Sequence, residues 1–393
     1  MKSASEISSS SLRILVLGYL VRGPMGGMAW HHLQYFMGLR QLGHDVWFLE
    51  DSGDTEYCCY DPSRGVTDAN PSFGLKFAAD CFERVGGSDR WAYHDALTGQ
   101  WNGPAALKTG EILRNADLLL NLSCSHAVRP WFDRIPLRVL VDTDPLFTQI
   151  RHLTDPARKA LAMRHNRFFT FGGNIGRKDC LIPDDGFPWK PTRQPIVLDA
   201  WHPAPAPDGA ALGTVMQWDS YKPMEYMGRR YGMKSEMFSA YQDMPALSQS
   251  RFELALGGGD APRDELREMG WRLHNPNEVA ADPWAYQTFI RQSSGEFTVA
   301  KHGYVVSRSG WFSERSAAYL ASARPVITQN TGFTDWLPTG EGLFAFDTPQ
   351  QARDACNEVW AHGAKHGKVA RDIAEEYFDS RKVLNCLLQD ADL

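Results

Sequence analysis

Residues 13–50 carry the pattern that decides the fold, and they read RILVLGYLVRGPMGGMAWHHLQYFMGLRQLGHDVWFLE. Residues 13–18 are an apolar run bounded by glycine, which is typical of a buried parallel strand. A glycine-rich loop follows, and apolar residues then recur at helical spacing over residues 28–42, where Gly43 predicts the end of the helix. A second strand is predicted over residues 45–50. The stretch therefore predicts a β–α–β unit at the start of a parallel sheet.

Strand and helix patterns alternate along the rest of the chain, which predicts an α/β fold with ligands at the carboxyl ends of parallel strands. A proline-rich stretch at about residues 190–212 predicts a linker. It would separate an N-terminal domain of residues 12–190 from a C-terminal domain of residues 213–370, with a helical tail over residues 371–393. The further strands are predicted over residues 117–122, 138–142, 167–171, 213–218, 252–256, 296–300, 304–306, 325–328 and 342–346.

Composition limits the classes of function. The 393-residue chain has a formal net charge of −6, and no run of lysine and arginine exceeds two residues. A sequence-independent nucleic-acid binder needs a dense basic stripe, so we expect no nucleic-acid partner. The seven cysteines form no CxxC pair, and the apolar run at residues 12–21 is shorter than the about 20 residues that span a bilayer. We therefore expect a cytoplasmic protein without a transmembrane segment.

Residues 304–333 form a second informative stretch, YVVSRSGWFSERSAAYLASARPVITQNTGF. The pattern predicts a strand, a short loop and a helix that begins after Ser313, with Glu314 in its first turn. The backbone N–H groups at such a helix start bind phosphate well. Arg308 precedes the loop and carries planar donors suited to a diphosphate. The alternative interpretation is a capped helix next to a surface arginine.

Motifs in both halves of the chain resemble GT-B glycosyltransferases, in particular the CgeB-like and group 1 families. Residues 308–313, RSGWFS, resemble the HCGWNS signature of nucleotide-sugar transferases, and Ser313 with Arg315 fits the S-x-R helix start of the CgeB-like group. Residues 321–328, ASARPVIT, resemble the strand entry common to the fold. Residues 26–32, GGMAWHH, with LGHDV at 42–46, resemble the opening of these enzymes. The resemblance implies two Rossmann-like domains facing across a cleft, with a C-terminal helix packing back on the N-terminal domain.

The resemblance also implies a reaction and a donor site. A sugar would move from a nucleotide-diphosphate-sugar to a hydroxyl or similar nucleophile, without a metal and with no cofactor besides the nucleotide-sugar co-substrate. The acceptor would be a small molecule or a glycan. The family's ribose-binding glutamate has no counterpart, because Ser316 or Ala318 stands there, and Gly310 with Ala318 replaces its E-x7-E pair. The expected donor-binding residues are Gly26, Gly27, Lys234, Arg308, Ser309, Gly310, Ser313, Glu314, Arg315, Asn330, Thr331, Gly332 and Asp335.

The catalytic candidates lie at predicted strand ends of the N-terminal domain. His31 and His32 begin the first helix, and either is a candidate general base toward an acceptor hydroxyl. Asp142 and Asp144 close a predicted strand, and each is a candidate base, a partner for a histidine, or a cap for the segment that follows. Their D-x-D spacing also fits a metal motif of another glycosyltransferase fold, which we interpret as accidental.

Two other functions fit the same architecture. A NAD-dependent oxidoreductase also pairs Rossmann-like domains, but the glycines from residue 18 to residue 27 do not have GxGxxG spacing. A non-catalytic protein that binds nucleotides or sugars would have the same fold. The sequence favours the transferase and does not indicate the oligomeric state.

Overall fold

The computed structural model describes residues 11–124 and 126–393, and it places them in two α/β halves that face each other across a cleft. Each half is built around its own parallel sheet. This is the predicted fold class, two Rossmann-like units in one chain. We refer to them as the N-terminal half, with the sheet that contains residue 13, and the C-terminal half, with the sheet that contains residue 212.

The N-terminal half alternates strands and helices over residues 13–191. Its elements are β1 (Arg13–Leu17), α1 (Gly26–Gln41), β2 (Asp45–Asp51), β3 (Cys59–Asp61), β4 (Val66–Asp68), α2 (Ser72–Arg84), β5 (Trp91–Asp95), β6 (Gln100–Asn102), α3 (Thr109–Arg114), β7 (Leu118–Leu122), β8 (Leu137–Asp142), α4 (Phe147–Thr154), α5 (Pro156–Ala162), β9 (Arg167–Thr170) and β10 (Lys190–Pro191).

The N-terminal sheet has eight strands in the order β10-β9-β8-β7-β1-β2-β5-β6. All neighbouring pairs are parallel except β5 with β6. The chain therefore winds outward from β1 in both directions, and the order reverses between β1 and β7. Ligands of open parallel sheets bind in the crevice beyond the strands at such a reversal. The loops after β1 and β7 both open onto the cleft.

The C-terminal half repeats this plan and ends in two long helices. Its elements are β11 (Leu212–Gln217), β12 (Met224–Tyr226), β13 (Arg229–Tyr231), α6 (Lys234–Phe238), α7 (Met244–Leu247), β14 (Phe252–Gly257), α8 (Arg263–Glu268), β15 (Arg272–His274), α9 (Pro276–Val279), α10 (Pro283–Gln292), β16 (Gly295–Thr298), α11 (His302–Val306), α12 (Glu314–Ala321), β17 (Val326–Gln329), β18 (Leu343–Phe346), α13 (Pro349–Tyr377) and α14 (Ser380–Asp390).

The C-terminal sheet has the strand order β15-β14-β11-β16-β17-β18, and all its pairs are parallel. Its order reverses between β11 and β16, and the loops that follow both strands line the cleft. The carboxyl ends of both sheets therefore meet at the same cleft. No helix in the described part of the chain is long and apolar enough to cross a membrane.

One predicted strand is wrong. Residues 304–306 belong to the short helix α11 and not to the sheet. The two valines favour a strand by propensity, but the buried ring of Tyr304 stacks on Trp311 with 4.4 Å between ring centroids. Tertiary packing overrides a weak local preference of this kind.

The chain passes between the halves twice, once in the linker and once between α13 and α14. These two segments are hydrogen-bonded to each other. Ile196 in the linker accepts a hydrogen bond from Ser380 N at 2.8 Å and donates one to Phe378 O at 2.7 Å. Helix α14 then packs on α1, where Gly38 leaves room for Leu384. A Cβ at that glycine would lie 2.6 Å from a Leu384 methyl carbon. The predicted return of a C-terminal helix to the N-terminal half is confirmed.

Candidate active site

The cleft between the halves has a volume of about 740 Å³. Two acidic side chains, Asp144 and Glu314, line it among the residues that the structure describes. Basic side chains in the cleft therefore outnumber acidic ones, although the whole chain carries a net charge of −6. The cationic side chains that line it are Arg22, Arg151, Arg158, Lys234, Lys301 and Arg315.

Helix α12 points its N-terminus into this cleft. The hydroxyl of Ser313 accepts a hydrogen bond from Arg315 N at 3.2 Å, so Ser313 is the N-cap, as its sequence predicts. Ser313, Glu314 and Arg315 all line the cleft. The backbone N–H groups and the dipole of the helix make this end attractive to an anion.

The guanidinium of Arg315 is held in the floor of the cleft by three protein groups. It donates to the carboxylate of Glu296, to Val215 O at 2.7 Å and to Thr298 Oγ1 at 3.0 Å. Glu296 has 0% side-chain exposure, so this is a buried ion pair. Burial alone would lower the pKa of Arg315, but the nearby Glu296 raises it above its ordinary value. Arg315 is therefore a fixed positive charge.

Lys234 is the first residue of α6 and lines the cleft beside Arg315. No ion-pair partner for its ammonium group is found in the described ranges. Burial, and then the positive charges of Arg315 and Lys301, lower the pKa of Lys234 well below its ordinary value. An anion that enters the cleft would stabilise the protonated form of this lysine.

Asp144 joins the two halves across the cleft. Its carboxylate accepts hydrogen bonds from Lys301 Nζ at 2.8 Å, Tyr221 OH at 2.6 Å and Arg151 Nη1 at 3.1 Å, and also from Tyr304 OH. Burial would raise the pKa of Asp144, but Lys301 and Arg151 outweigh it and lower the pKa to about 2. A carboxylate with this pKa and four donors is a poor general base, so the structure favours a role in domain contact.

Asp142 lies behind the cleft and does not line it. Its carboxylate is fully buried and accepts from Thr148 Oγ1 at 2.6 Å, Thr170 Oγ1 at 2.7 Å and Gln149 Nε2 at 3.1 Å. It also accepts from Asp144 N at 2.9 Å. Asp142 therefore fixes the segment that carries Asp144, which is the capping role among the alternatives that the sequence left open.

The two adjacent histidines of α1 have different positions. His31 lines the cleft, and burial lowers its pKa to about 4, so its imidazole is neutral near pH 7. His32 has 0% exposure and does not line the cleft. Its ring packs over Gly18, where a Cβ would lie 2.2 Å from the imidazole. The structure therefore brings His31, but not His32, to the site.

The two glycines at the start of α1 allow the halves to approach closely. Gly26 N donates to Ala280 O of the C-terminal half at 2.8 Å. A Cβ on Gly26 would lie 2.1 Å from the carbonyl oxygen of Asp282. Gly27 lines the cleft and abuts the ring of Tyr286. Gly26 thus contacts protein, while Gly27 is open to a ligand.

A predicted group of donor-binding residues lies elsewhere, at a second contact between the halves. Asn174 Nδ2 donates to Gly332 O at 2.9 Å and to Asp335 Oδ2 at 3.0 Å. Arg308 follows the end of α11 with a φ of 49°, and its guanidinium donates to Asp179 at 2.9 Å. Because residues 302–306 form a helix, the arginine turns to this surface instead of the cleft. None of the predicted donor-binding residues in this second contact lines the cleft; they are Arg308, Ser309, Gly310, Asn330, Thr331, Gly332 and Asp335.

Several cleft residues were not among the sequence candidates. Arg151, His152 and Arg158 come from α4 and α5, which follow β8, and Tyr221 follows β11. The available signal was their position after a predicted strand end, where ligands of parallel sheets bind. Helical periodicity alone does not tell which side of α4 faces a cleft.

The two acids that end β2, Glu50 and Asp51, count against the oxidoreductase alternative. A dinucleotide-binding domain uses an acid there to bind the ribose. Asp51 is already bound within the protein, because Arg129 Nη2 donates to it at 2.7 Å and His94 Nδ1 lies 2.9 Å from it. Here Glu50 is 1% exposed and accepts from the backbone N–H groups of Leu20 at 2.7 Å, Val21 at 2.8 Å and Arg22 at 2.7 Å. Burial raises its pKa to about 7 despite these donors. Glu50 holds the loop after β1 and has no face toward a ribose.

Comparisons with known proteins identify the fold. No protein-family model and no curated protein sequence matches the chain. Among solved structures, an α-glucosyltransferase in complex with UDP is 11% identical with a TM-score of 0.58, over 98% of this chain and 100% of that one. A glycosyltransferase from Rickettsia africae is 10% identical with a TM-score of 0.54, over 98% of both chains.

A third similar structure is sucrose-phosphate synthase from Thermosynechococcus elongatus, which is 12% identical with a TM-score of 0.52. It is matched over 96% of this chain and 97% of its own. All three matches run through both halves and the cleft between them. The chain therefore has the GT-B fold of glycosyltransferases.

Proposed function

We propose that the protein is a glycosyltransferase that moves a sugar from a nucleoside-diphosphate-sugar to an acceptor. The observation that carries the proposal is Lys234, a lysine without an ion-pair partner in the described chain, beside Arg315 at the N-terminus of α12. These groups converge in the cleft of a GT-B fold. A diphosphate supplies the negative charge that they favour.

The two halves would divide the substrates between them. The donor diphosphate would lie on the C-terminal half against Lys234, Arg315 and the N–H groups of α12. These protein charges would take the place of a metal, so we propose a metal-independent reaction. His31, neutral at pH 7, would face the acceptor from the other half. Approach of the halves would exclude water from the donor.

The identity of the ligands is guided by similar structures. One α-glucosyltransferase is in complex with UDP, and another complex holds UDP-glucose and DNA. UDP and UDP-glucose are therefore the first donor ligands to test. For the acceptor we propose a small molecule or glycan, because the chain is acidic overall and has no dense basic run.

The test measures UDP release from UDP-glucose by the purified protein and by two lysine variants. Lys234→Ala should weaken UDP binding about 10–100-fold, as expected for loss of a charge-assisted contact. The matched control is Lys222→Ala, an exposed lysine of the same half that does not line the cleft, and it should behave like the wild type. Binding of UDP without any release from UDP-glucose, either to water or to added sugar acceptors, would indicate a non-catalytic binder. Equal UDP affinity in Lys234→Ala would refute the assigned donor site.

A further inference from the structure

We infer that the acceptor is anionic, and that its phosphate or carboxylate binds to Arg158 and Arg151, beside His152, on the wall formed by α4 and α5. The inference rests on the proposed function, and it names the chemical class of the second substrate. It depends on a set of cationic and imidazole groups in the N-terminal half that the donor site does not use.

Arg158 is an exposed residue of α5 that lines the cleft. Its guanidinium has no ion-pair partner in the part of the chain that the structure describes. Arginine is the side chain best matched to the planar, two-oxygen geometry of carboxylates and phosphates. It therefore provides an anion contact that is open to a ligand.

Arg151 stands nearby on α4 and is only partly used. Its Nη1 donates to Asp144 at 3.1 Å, and its guanidinium lies over the ring of Tyr221 at 4.6 Å. Asp144 also neutralises Lys301, so one carboxylate serves two cations. Asp144, Arg151 and Lys301 together therefore retain one positive charge. The guanidinium of Arg151 also keeps N–H donors beyond the one that Asp144 uses.

His152 adds a ring nitrogen whose orientation is fixed. Its Nδ1 lies 2.7 Å from Asp185 Oδ2, and the side chain of Asp185 is 0% exposed. The other oxygen of Asp185 accepts from Trp189 Nε1 at 2.9 Å and from Phe187 N at 3.2 Å. Because Nδ1 carries the hydrogen that is donated to this carboxylate, Nε2 is the nitrogen that His152 presents to the cleft, as an acceptor for a hydroxyl group of the same substrate.

These three groups lie on the half opposite the proposed donor residues. The charged groups that act most strongly on Lys234 are Arg315, Glu296, Lys301 and Glu314, all of the C-terminal half. Arg151, His152 and Arg158 belong to the opposite half. A diphosphate held on one half leaves Arg158 without an anion and leaves Arg151 with a carboxylate that it shares with Lys301. A cleft lined by one sign of charge favours a substrate of the other sign.

The test is calorimetric titration of the full-length protein saturated with UDP, using glucose 6-phosphate, glucuronate and glucose at constant ionic strength. At least one of the two anions should bind about tenfold or more tightly than glucose. Binding of glucose 6-phosphate alone would identify a phosphate site, and binding of glucuronate alone would identify a carboxylate site. Binding of both would indicate a site for either group.

Variants connect this binding to the wall. Arg158→Ala should weaken binding of the anion about 10–100-fold, and Arg158→Lys should restore part of it. The matched control is Arg134→Ala, another exposed arginine of the N-terminal half that lies outside the cleft, and it should have no effect. Both replaced arginines lack ion-pair partners in the described ranges, so neither change should impair folding.

Three results would overturn the inference: glucose binding as tightly as the anions, no binding of either anion, or unchanged anion binding in Arg158→Ala. UDP binding is measured in the same experiment and separates the two proposals. If UDP binds and the anions do not, the acceptor class is wrong and the donor site stands. If UDP itself does not bind, the proposed function fails first.

Discussion

Replacing Lys234 by methionine should separate ligand binding from stability. Methionine keeps the length of the side chain and removes its charge. The pKa of Lys234 is lowered by burial and by Arg315, so the charged form is disfavoured in the folded protein. Removing that charge should leave the free energy of unfolding without ligand unchanged, or raise it by about 1 kcal/mol.

The same change should remove most of the stabilisation that UDP provides. At a UDP concentration 100 times the Kd, mass action stabilises the wild-type protein by about 2.7 kcal/mol. Loss of a charge-assisted contact of about 1.5–3 kcal/mol raises the Kd about 10–150-fold. At the same UDP concentration, the stabilisation should then fall to about 0.3–1.4 kcal/mol.

The assay is urea unfolding of wild type, Lys234→Met and the exposed-lysine control Lys222→Met, each with and without UDP. The control should match the wild type in both conditions. A loss of more than about 1 kcal/mol without UDP would show that Lys234 is a structural residue. Undiminished stabilisation by UDP would show that the nucleotide binds without it. Either result would refute the reasoning.

Three further changes test the surrounding contacts. Arg315→Ala should lower the free energy of unfolding by about 3–5 kcal/mol, since a buried carboxylate on β16 loses its partner, and an unchanged urea midpoint would contradict this. The pKa of Asp144 falls from its ordinary 3.8 to about 2, so about 2 kcal/mol of stability is present above about pH 4 and is lost as the pH falls toward 2. In urea unfolding, the difference in unfolding free energy between wild type and Asp144→Asn should therefore become smaller as the pH falls. A difference that does not change with pH would exclude this linkage. Gly26→Ala places a Cβ 2.1 Å from Asp282 O and should move the halves apart, which X-ray scattering would detect as a larger radius of gyration. Gly259→Ala, at a glycine with open space around it, is the control.

The sequence predicts the sheet framework well because its signals are local. The apolar run of β1, the glycine loop and Gly43 at the end of the helix follow from side-chain spacing and backbone conformation. The N-cap at Ser313 is likewise a property of a few neighbouring residues. Such features depend little on how the two halves face each other.

The site is harder to predict because it is formed by side chains from both halves. Arg308 matches a family motif, yet a helix replaces the predicted strand before it and turns the arginine toward Asp179. Asp142 and Asp144 look equivalent in the sequence. In the structure, Asp142 accepts hydrogen bonds from hydroxyl groups of its own half, whereas Asp144 accepts from Lys301 across the cleft. These outcomes depend on packing that no local pattern encodes.

Polar residues at the carboxyl ends of the strands divide into those that hold the halves together and those that remain for ligands. Asp144 and Asn174 each have partners from the opposite half, and those contacts account for their position. Lys234 and Arg158 have no ion-pair partner in the described ranges, although both line the cationic cleft. Burial disfavours the charged form of Lys234 unless an anion compensates it, and the exposed guanidinium of Arg158 has unused donors, so both positions suit a ligand of opposite charge. The two lie on opposite halves, which is the arrangement that a reaction between two separately bound anionic substrates requires.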